Sequence, residues 1–371
     1  MPNLRTTMLR VIHAAQPIPR ASLAKRLNLS PAELTKELKP LIASKIVGEK
    51  DKTISFNGDG TYFIGVNFGV RSTQVGIATL GGDGISEEDS FETPRDPKAA
   101  VAIVKERVEE LVGKNTDREL IAIGVSVPGM TDADRTRLVN APNLNWRNLD
   151  FAKEFGGISN AKVIVENNAA AAALFEARRK LASNDVVEDF ILVRSGTGIG
   201  VGLVINGEVF RGSGAGRGIA GEFGHMTIVA GGKQCVCGNR GCWEKYASAA
   251  AGATLYLGDR PPARGEMVPR FVEIVSKAEN GDNRSRRTLE KIGDYLGMGI
   301  ANVVMGTGIP KAVLSGRIVH GWKFIKEPMN DAIKRSIVGR IEGWSVAAGS
   351  PIGFGLGGAL EVAADDYLHS L

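Results

Sequence analysis

The sequence predicts an α/β protein: a small winged helix-turn-helix at the N-terminus, then a two-lobed body in which one α/β unit is duplicated. Three observations carry this expectation. The first sixty residues show helical apolar spacing on both sides of a turn and close with a short alternating stretch. Two glycine-hinged hairpins, beginning at Tyr62 and Phe190, share one grammar, and each is followed by helical sequence. All three cysteines fall within eight residues of a glycine-rich loop.

A chain of 371 residues can bury more than one core, so two or three domains are expected. A hydrophobic content of 43% is that of a soluble globular protein. No apolar run is long enough to span a bilayer and no basic-then-apolar leader follows Met1; the expectation is a cytoplasmic protein without membrane insertion. Charge is uneven. Residues 1–60 hold ten Lys or Arg against five acids, an excess equal to the whole formal net charge of +5. A polyanion is therefore drawn to the N-terminal segment.

Within that segment Leu4, Met8, Leu9, Val11 and Ile12 recur at helical spacing, and Pro17 and Pro19 end the helix. A second short helix spans about 20–27. Ser30 then caps a third, with Pro31 at its first position and Glu33 completing a capping box. This helix runs to about Ser44 and buries Leu34, Leu38, Leu41 and Ile42; residues 45–56 alternate as a wing would. The third helix presents Ser30, Ala32, Glu33, Thr35, Lys36 and Lys39, short or polar groups suited to base edges and phosphates of DNA. A helical protein-binding head is the alternative.

From Tyr62 the chain reads strand, glycine turn, strand, glycine turn, strand, and Phe190 begins the same series. Duplicated lobes would face each other across a cleft, with hairpin tips pointing inward and backbone amides able to cradle phosphate. The tip Gly196-Thr197-Gly198 has the small residues for this. The tip Asn67-Phe68-Gly69-Val70-Arg71 is bulkier and lacks a carboxylate to hold magnesium. Between the hairpins, residues 121–127 form an apolar strand ending in Pro128-Gly129. Residues 163–166 form another, ending in Asn167-Asn168 at the start of an alanine-rich helix. Polar groups at the carboxyl end of a buried strand are a usual place for ligand contacts, though two asparagines also serve as helix caps.

Residues 221–248 hold Cys235, Cys237 and Cys242 in the pattern C-x-C-G-x-x-G-C, with His225 ten residues before the first cysteine. Three thiolates and one imidazole are the complement of a structural tetrahedral zinc. The alternative is three reduced cysteines that merely pack, but a polar glycine-rich loop offers little to pack against.

Together the winged helix, SVPGM, NAPNLNW, VENN, SGTGIGVGLVINGEVFRG, GEFGH, CVCGNRGCWE and GLGGAL resemble the ROK family of repressors and sugar kinases over nearly the whole chain. The resemblance implies a sugar-kinase/actin-type, ribonuclease H-like duplicated fold with sugar in the cleft and zinc beside it. It also implies that Asn167, Glu222, His225 and Glu244 bind sugar hydroxyls, with Gly129 alongside. Under it His225 binds zinc through one ring nitrogen and sugar through the other.

Family kinases carry Asn-Asp where this chain has Asn167-Asn168, and that Asp takes the proton from the sugar hydroxyl. An amide has no such basicity, although Asn168 can still contact a sugar. The kinases' Asp-x-Gly-Gly-Thr corresponds to residues 67–71 here, and Ser315-Gly316 stands where Gly-Gly is common. The expectation is therefore a regulator, a repressor rather than an enzyme, whose pseudo-kinase module senses a small sugar or sugar phosphate and whose head binds operator DNA. The assembly expected is a homodimer or a dimer of dimers. The expected organisation is a head over 1–58, a first lobe over 59–166 completed by a helix at about 352–371, and a second lobe with the zinc motif over 167–351. The competing readings are an ATP-dependent sugar kinase that keeps a DNA-binding head, and a DNA-binding protein with no small ligand.

Overall fold

The structure is a computed structural model; it describes every residue except 1–3, 59, 82–83, 184–187, 217, 265 and 352–354. The head comprises α1 (Leu4–Ala15), β1 (Ile18–Pro19), α2 (Arg20–Leu27), α3 (Pro31–Ala43), β2 (Val47–Lys50) and β3 (Thr53–Phe56). The capping box at Ser30 forms as its sequence requires: Ser30 Oγ accepts from the Glu33 amide and the Glu33 carboxylate accepts from the Ser30 amide. Such a cap contributes about 1 kcal/mol to a helix. The wing is a sheet of order β1-β3-β2, larger than the hairpin expected. Ile18 pairs with Ile54 across it, a long-range register that the proline-flanked segment does not announce.

The body begins with β4 (Thr61–Phe68), β5 (Ser72–Ala78), β6 (Ser86–Glu92), α4 (Pro97–Lys114) and β7 (Glu119–Val127). A small sheet of β8 (Met130–Thr131), β9 (Arg137–Ala141) and β10 (Trp146–Asp150) leads through α5 (Phe151–Phe155) to β11 (Lys162–Asn167) and α6 (Asn168–Ala182). The second half starts with β12 (Phe190–Ser195), β13 (Ile199–Ile205) and β14 (Glu208–Phe210). Helices α7 (Glu244–Ala247), α8 (Ala251–Tyr256), α9 (Phe271–Glu279) and α10 (Asn283–Thr307) follow. The chain then runs through β15 (Lys311–Ser315), α11 (Trp322–Lys334), β16 (Ser345–Ala348) and α12 (Gly355–Ser370).

The two large sheets repeat one plan. The first has order β11-β7-β4-β5-β6 and the second β14-β13-β12-β15-β16. In each, three antiparallel strands continue into two more that run parallel to the innermost of the three. The repeat explains why two distant hairpins share a grammar.

Helices α6 and α12 pack on each other between the sheets, α12 over β4 and β7 and α6 over β13. Small residues make this closeness possible. A Cβ at Gly124 would stand 1.9 Å from Ala359 O, and one at Gly202 would stand 2.6 Å from Ala169 O, so only glycine admits the helix backbones there. Ala169–Ala173 are all buried for the same reason, with a strand on one side and a helix on the other. The head is continuous with this core: Met8, Leu9, Leu34 and Leu38 share one apolar cluster with Ala171, Ala173 and Leu360.

Candidate functional site

The cleft between the lobes holds a cavity of about 400 Å³ lined by both hairpin tips and by the carboxyl ends of β7 and β11. Gly129, Asn167, Asn168, Glu222, His225 and Glu244 all line it. Asn167 sits where a parallel strand hands over to a helix, and its amide does two things at once. Its Oδ1 accepts from the Ala169 and Ala170 amides at 2.7 and 3.4 Å, capping α6. Its Nδ2 donates to Gly129 O at 2.8 Å and to Glu222 Oε1 at 3.2 Å. One side chain thus caps α6 and ties its start to the Gly129 turn and to Glu222. Gly129 has φ +140°, and a Cβ there would meet Asn140 O at 2.3 Å.

Glu222 lies in a short 3-10 turn, Glu222–His225, and burial pushes its carboxyl above the usual range; nearby Glu244 adds to this while His225 opposes it. His225 Nε2 lies 3.7 Å from Glu222 Oε2, on the cleft side. Its other nitrogen, Nδ1, lies 3.6 Å from Cys235 Sγ. The ring thus bridges cleft and cysteine loop.

His225, Cys235, Cys237 and Cys242 offer four ligand atoms within 4.8 Å of one another, an arrangement that can hold a metal ion. Cys237 and Cys242 have their sulfurs 3.7 Å apart. Ligands about 2.3 Å (sulfur) and about 2.0 Å (nitrogen) from a tetrahedral ion stand about 3.8 Å (S to S) and about 3.5 Å (S to N) from each other, so these separations fit. Burial pushes the Cys235 and Cys242 thiols up, and a cation is what makes adjacent thiolates tenable. Trp243, fully buried, donates from Nε1 to Tyr295 O at 2.8 Å and pins the loop to α10. Its neighbours Cys242 and Glu244 consequently face the two sites from one rigid point.

The residues expected to meet DNA are all exposed, Ser30 at the N-cap of α3 and Ala32, Glu33, Thr35, Lys36 and Lys39 on the helix itself. Several are already engaged. Ser30 and Glu33 hold each other in the capping box, and Thr35 Oγ1 donates to Pro31 O and accepts from Arg20 Nη2, both at 2.7 Å. Arg20 also donates to Glu49 Oε2 at 2.7 Å, tying α2 to the wing.

Sequence reasoning missed Asn143, Arg194 and Arg317 as cleft residues, and took Arg71 only as a bulky tip. The available signal was a charged residue interrupting the apolar strand Phe190–Ser195, and another directly after Ser315-Gly316. A separate cavity of about 610 Å³ behind Asn167 is lined by Arg135, Glu166 and Arg211, among others.

The model of the ROK family matches residues 63–364. The chain belongs to the ROK family. It is 28% identical over 347 residues to the xylose repressor of Bacillus subtilis (strain 168), covering 90% of this chain and 87% of that one. It is 27% identical to the DNA-binding transcriptional dual regulator NagC of Escherichia coli (strain K12), covering 87% and 82% respectively. Among solved structures, a ROK family transcriptional regulator described as a homolog of the E. coli MLC protein superposes with a TM-score of 0.78, covering 99% of this chain and 96% of that one. At 23% identity that likeness shows the fold. Its cover of 99% of the chain takes in the head as well as the ROK body. Among the described residues no helix is long and apolar enough to cross a membrane.

Proposed function

We propose that this ROK protein is a sugar-responsive transcriptional repressor. Its head, residues 1–58, binds operator DNA. Its body, with one lobe over 59–166 plus the C-terminal helix and the other over 167–351, senses a sugar without phosphorylating it. Repressors among its relatives support the regulatory part of this reading. The observation that carries it is the pairing, in one chain, of a capped, exposed helix α3 with a cleft whose hydroxyl-binding set surrounds an amide, Asn168. Phosphoryl transfer to a sugar needs a base at the attacking hydroxyl, and its loss typically costs about two to four orders of magnitude in rate.

The sugar ligands are Asn167, Asn168, Glu222, His225 and Glu244, beside Gly129. Amide, carboxylate and imidazole together both accept from and donate to paired hydroxyls. The ion on His225, Cys235, Cys237 and Cys242 is a structural zinc, which would fix the ring of His225 for sugar. Two-fold half-sites favour a dimer, alone or paired with another.

The test is fluorescence anisotropy of the full chain on DNA upstream of its own gene, with a panel of hexoses, amino sugars and pentoses, free and phosphorylated. Nanomolar binding at physiological salt that one sugar weakens is expected. Turnover of ATP with any of these sugars at ordinary kinase rates would sink the reading, and so would DNA binding that no sugar alters.

A further inference from the structure

The cleft has two ends of opposite character. At one stand Glu222, Glu244 and Asn167. At the other stand Arg71 from the first hairpin tip, Arg194 from β12 and Arg317 from the turn after β15. Among the described residues none of these three arginines has a carboxylate partner. Arg317 donates from Nη2 to Thr197 Oγ1 at 3.2 Å, a neutral acceptor. In the neighbouring cavity, by contrast, Arg211 and Arg135 are neutralised by a shared Glu166, at 2.5 and 3.4 Å.

Like charges left unpaired in a half-buried cleft repel. Burial, and then the charge of Arg317, makes Arg194 easier to deprotonate than usual; burial, and then Arg71, does the same to Arg317. Three sequence-distant elements thus bring together cations that destabilise one another, and an anion is what offsets that cost. Guanidinium forks match the oxygens of a phosphate monoester in pairs.

The two ends lie within reach of one small molecule. A Cβ on Gly196 would stand 3.8 Å from Arg317 Nη2, while a Cβ on Gly198 would stand 2.3 Å from Glu244 Oε2 and 3.2 Å from Asn143 Nδ2. Those two glycines are two residues apart, at most about 7 Å of chain. Side chains at either position would fill the floor between the ends.

We propose that the effector is a phosphorylated sugar, its hydroxyls at the Glu222 and Glu244 end and its phosphate on Arg71, Arg194 and Arg317. This rests on the reading of the cleft as a sugar sensor and names the class of sugar. A phosphate can also arrive on a nucleotide or as the free ion, so the test separates the three sources.

Calorimetry on the full chain would compare matched pairs of sugars and their phosphate esters with ATP plus magnesium and with inorganic phosphate. One ester is expected to bind at least about 100-fold more tightly than its parent sugar, the effect of two charge-assisted bonds. R71A, at an exposed position, and R317K should each reduce that preference about tenfold or more while binding of the parent sugar stays unchanged. A parent sugar that binds as well as its ester overturns the proposal and leaves the sensor reading intact. ATP or phosphate binding with the same arginine dependence, without preference for any ester, also overturns it. No binding by any saccharide, free or phosphorylated, defeats the sensor reading itself and this proposal with it.

Discussion

Arg10 in the first helix donates from Nε to Oδ1 of Asp365 in the last, at 2.7 Å and across 355 residues of sequence. Both side chains are buried, and Arg10 also pairs with Glu208. Arg178, near the end of α6, donates to Asp365 Oδ1 at 3.2 Å, to Arg10 O at 3.1 Å and to Glu361 Oε2 at 3.0 Å. His13 closes the group at 3.1 Å from Glu361. The head is thereby fastened to α6 and α12, the two helices between the sheets, and α6 begins at Asn168 in the cleft.

Removing one partner of such a network leaves a buried charge uncompensated. D365A should lower stability by about 3–5 kcal/mol, and R10M/D365L should recover little of this, since Glu208 and Arg178 each still lose a partner. Urea unfolding measures both. A single-variant loss under about 1 kcal/mol would mean the network is solvated in solution.

Acid should loosen the same junction. Burial alone would raise the Glu361 carboxyl, but His13 and Arg178 outweigh it and hold it at about 2, below its usual 4.5. A depressed carboxyl contributes stability that is present above pH 4.5 and is lost as pH falls toward 2. The full shift is worth on the order of 3 kcal/mol. His369 has the opposite sign: its bond to Glu208, opposed by burial, raises it above 6.5, so its contribution is complete below pH 6.5 and fades as pH rises through the raised value. Urea midpoints recorded from pH 3 to 9 should fall on both flanks.

For the metal, one zinc per chain is expected by elemental analysis. C237S, at an exposed position, should abolish it and lower Tm, and a chelator should reproduce the loss. Native protein without zinc would refute the assignment.

For DNA, K36A/K39A should weaken binding and reduce the slope of log K against log salt by about two, one for each lysine. Sugar binding, measured in parallel, should not change. An unaltered slope would point to a different face of the head.

At the cleft, N167S should keep a cap on α6 while removing the amide that reaches Gly129 and Glu222. Stability is then expected to fall by about 1–3 kcal/mol, because Gly129 O loses its donor, and the sugar response to vanish. A full response in N167S would remove Asn167 from the ligand set.

The features legible in sequence are those set by near neighbours. Ser30, Pro31 and Glu33 start α3 because a capping box closes over three residues, and the order of strands after Tyr62 and Phe190 follows from glycine hinges and apolar runs. His225 and the three cysteines lie close enough in the chain for their loop to gather them. What joins distant segments was decided only by the tertiary structure. Ile18 pairing with Ile54, α6 and α12 packed between opposite sheets, Arg10 on Asp365, and Arg71, Arg194 and Arg317 in one cleft each depend on where the whole chain places two or three remote backbones. The physical reason is range. Caps, turns and chelating loops are determined over a few residues, whereas a charge in a strand becomes a site only when packing leaves it without a partner.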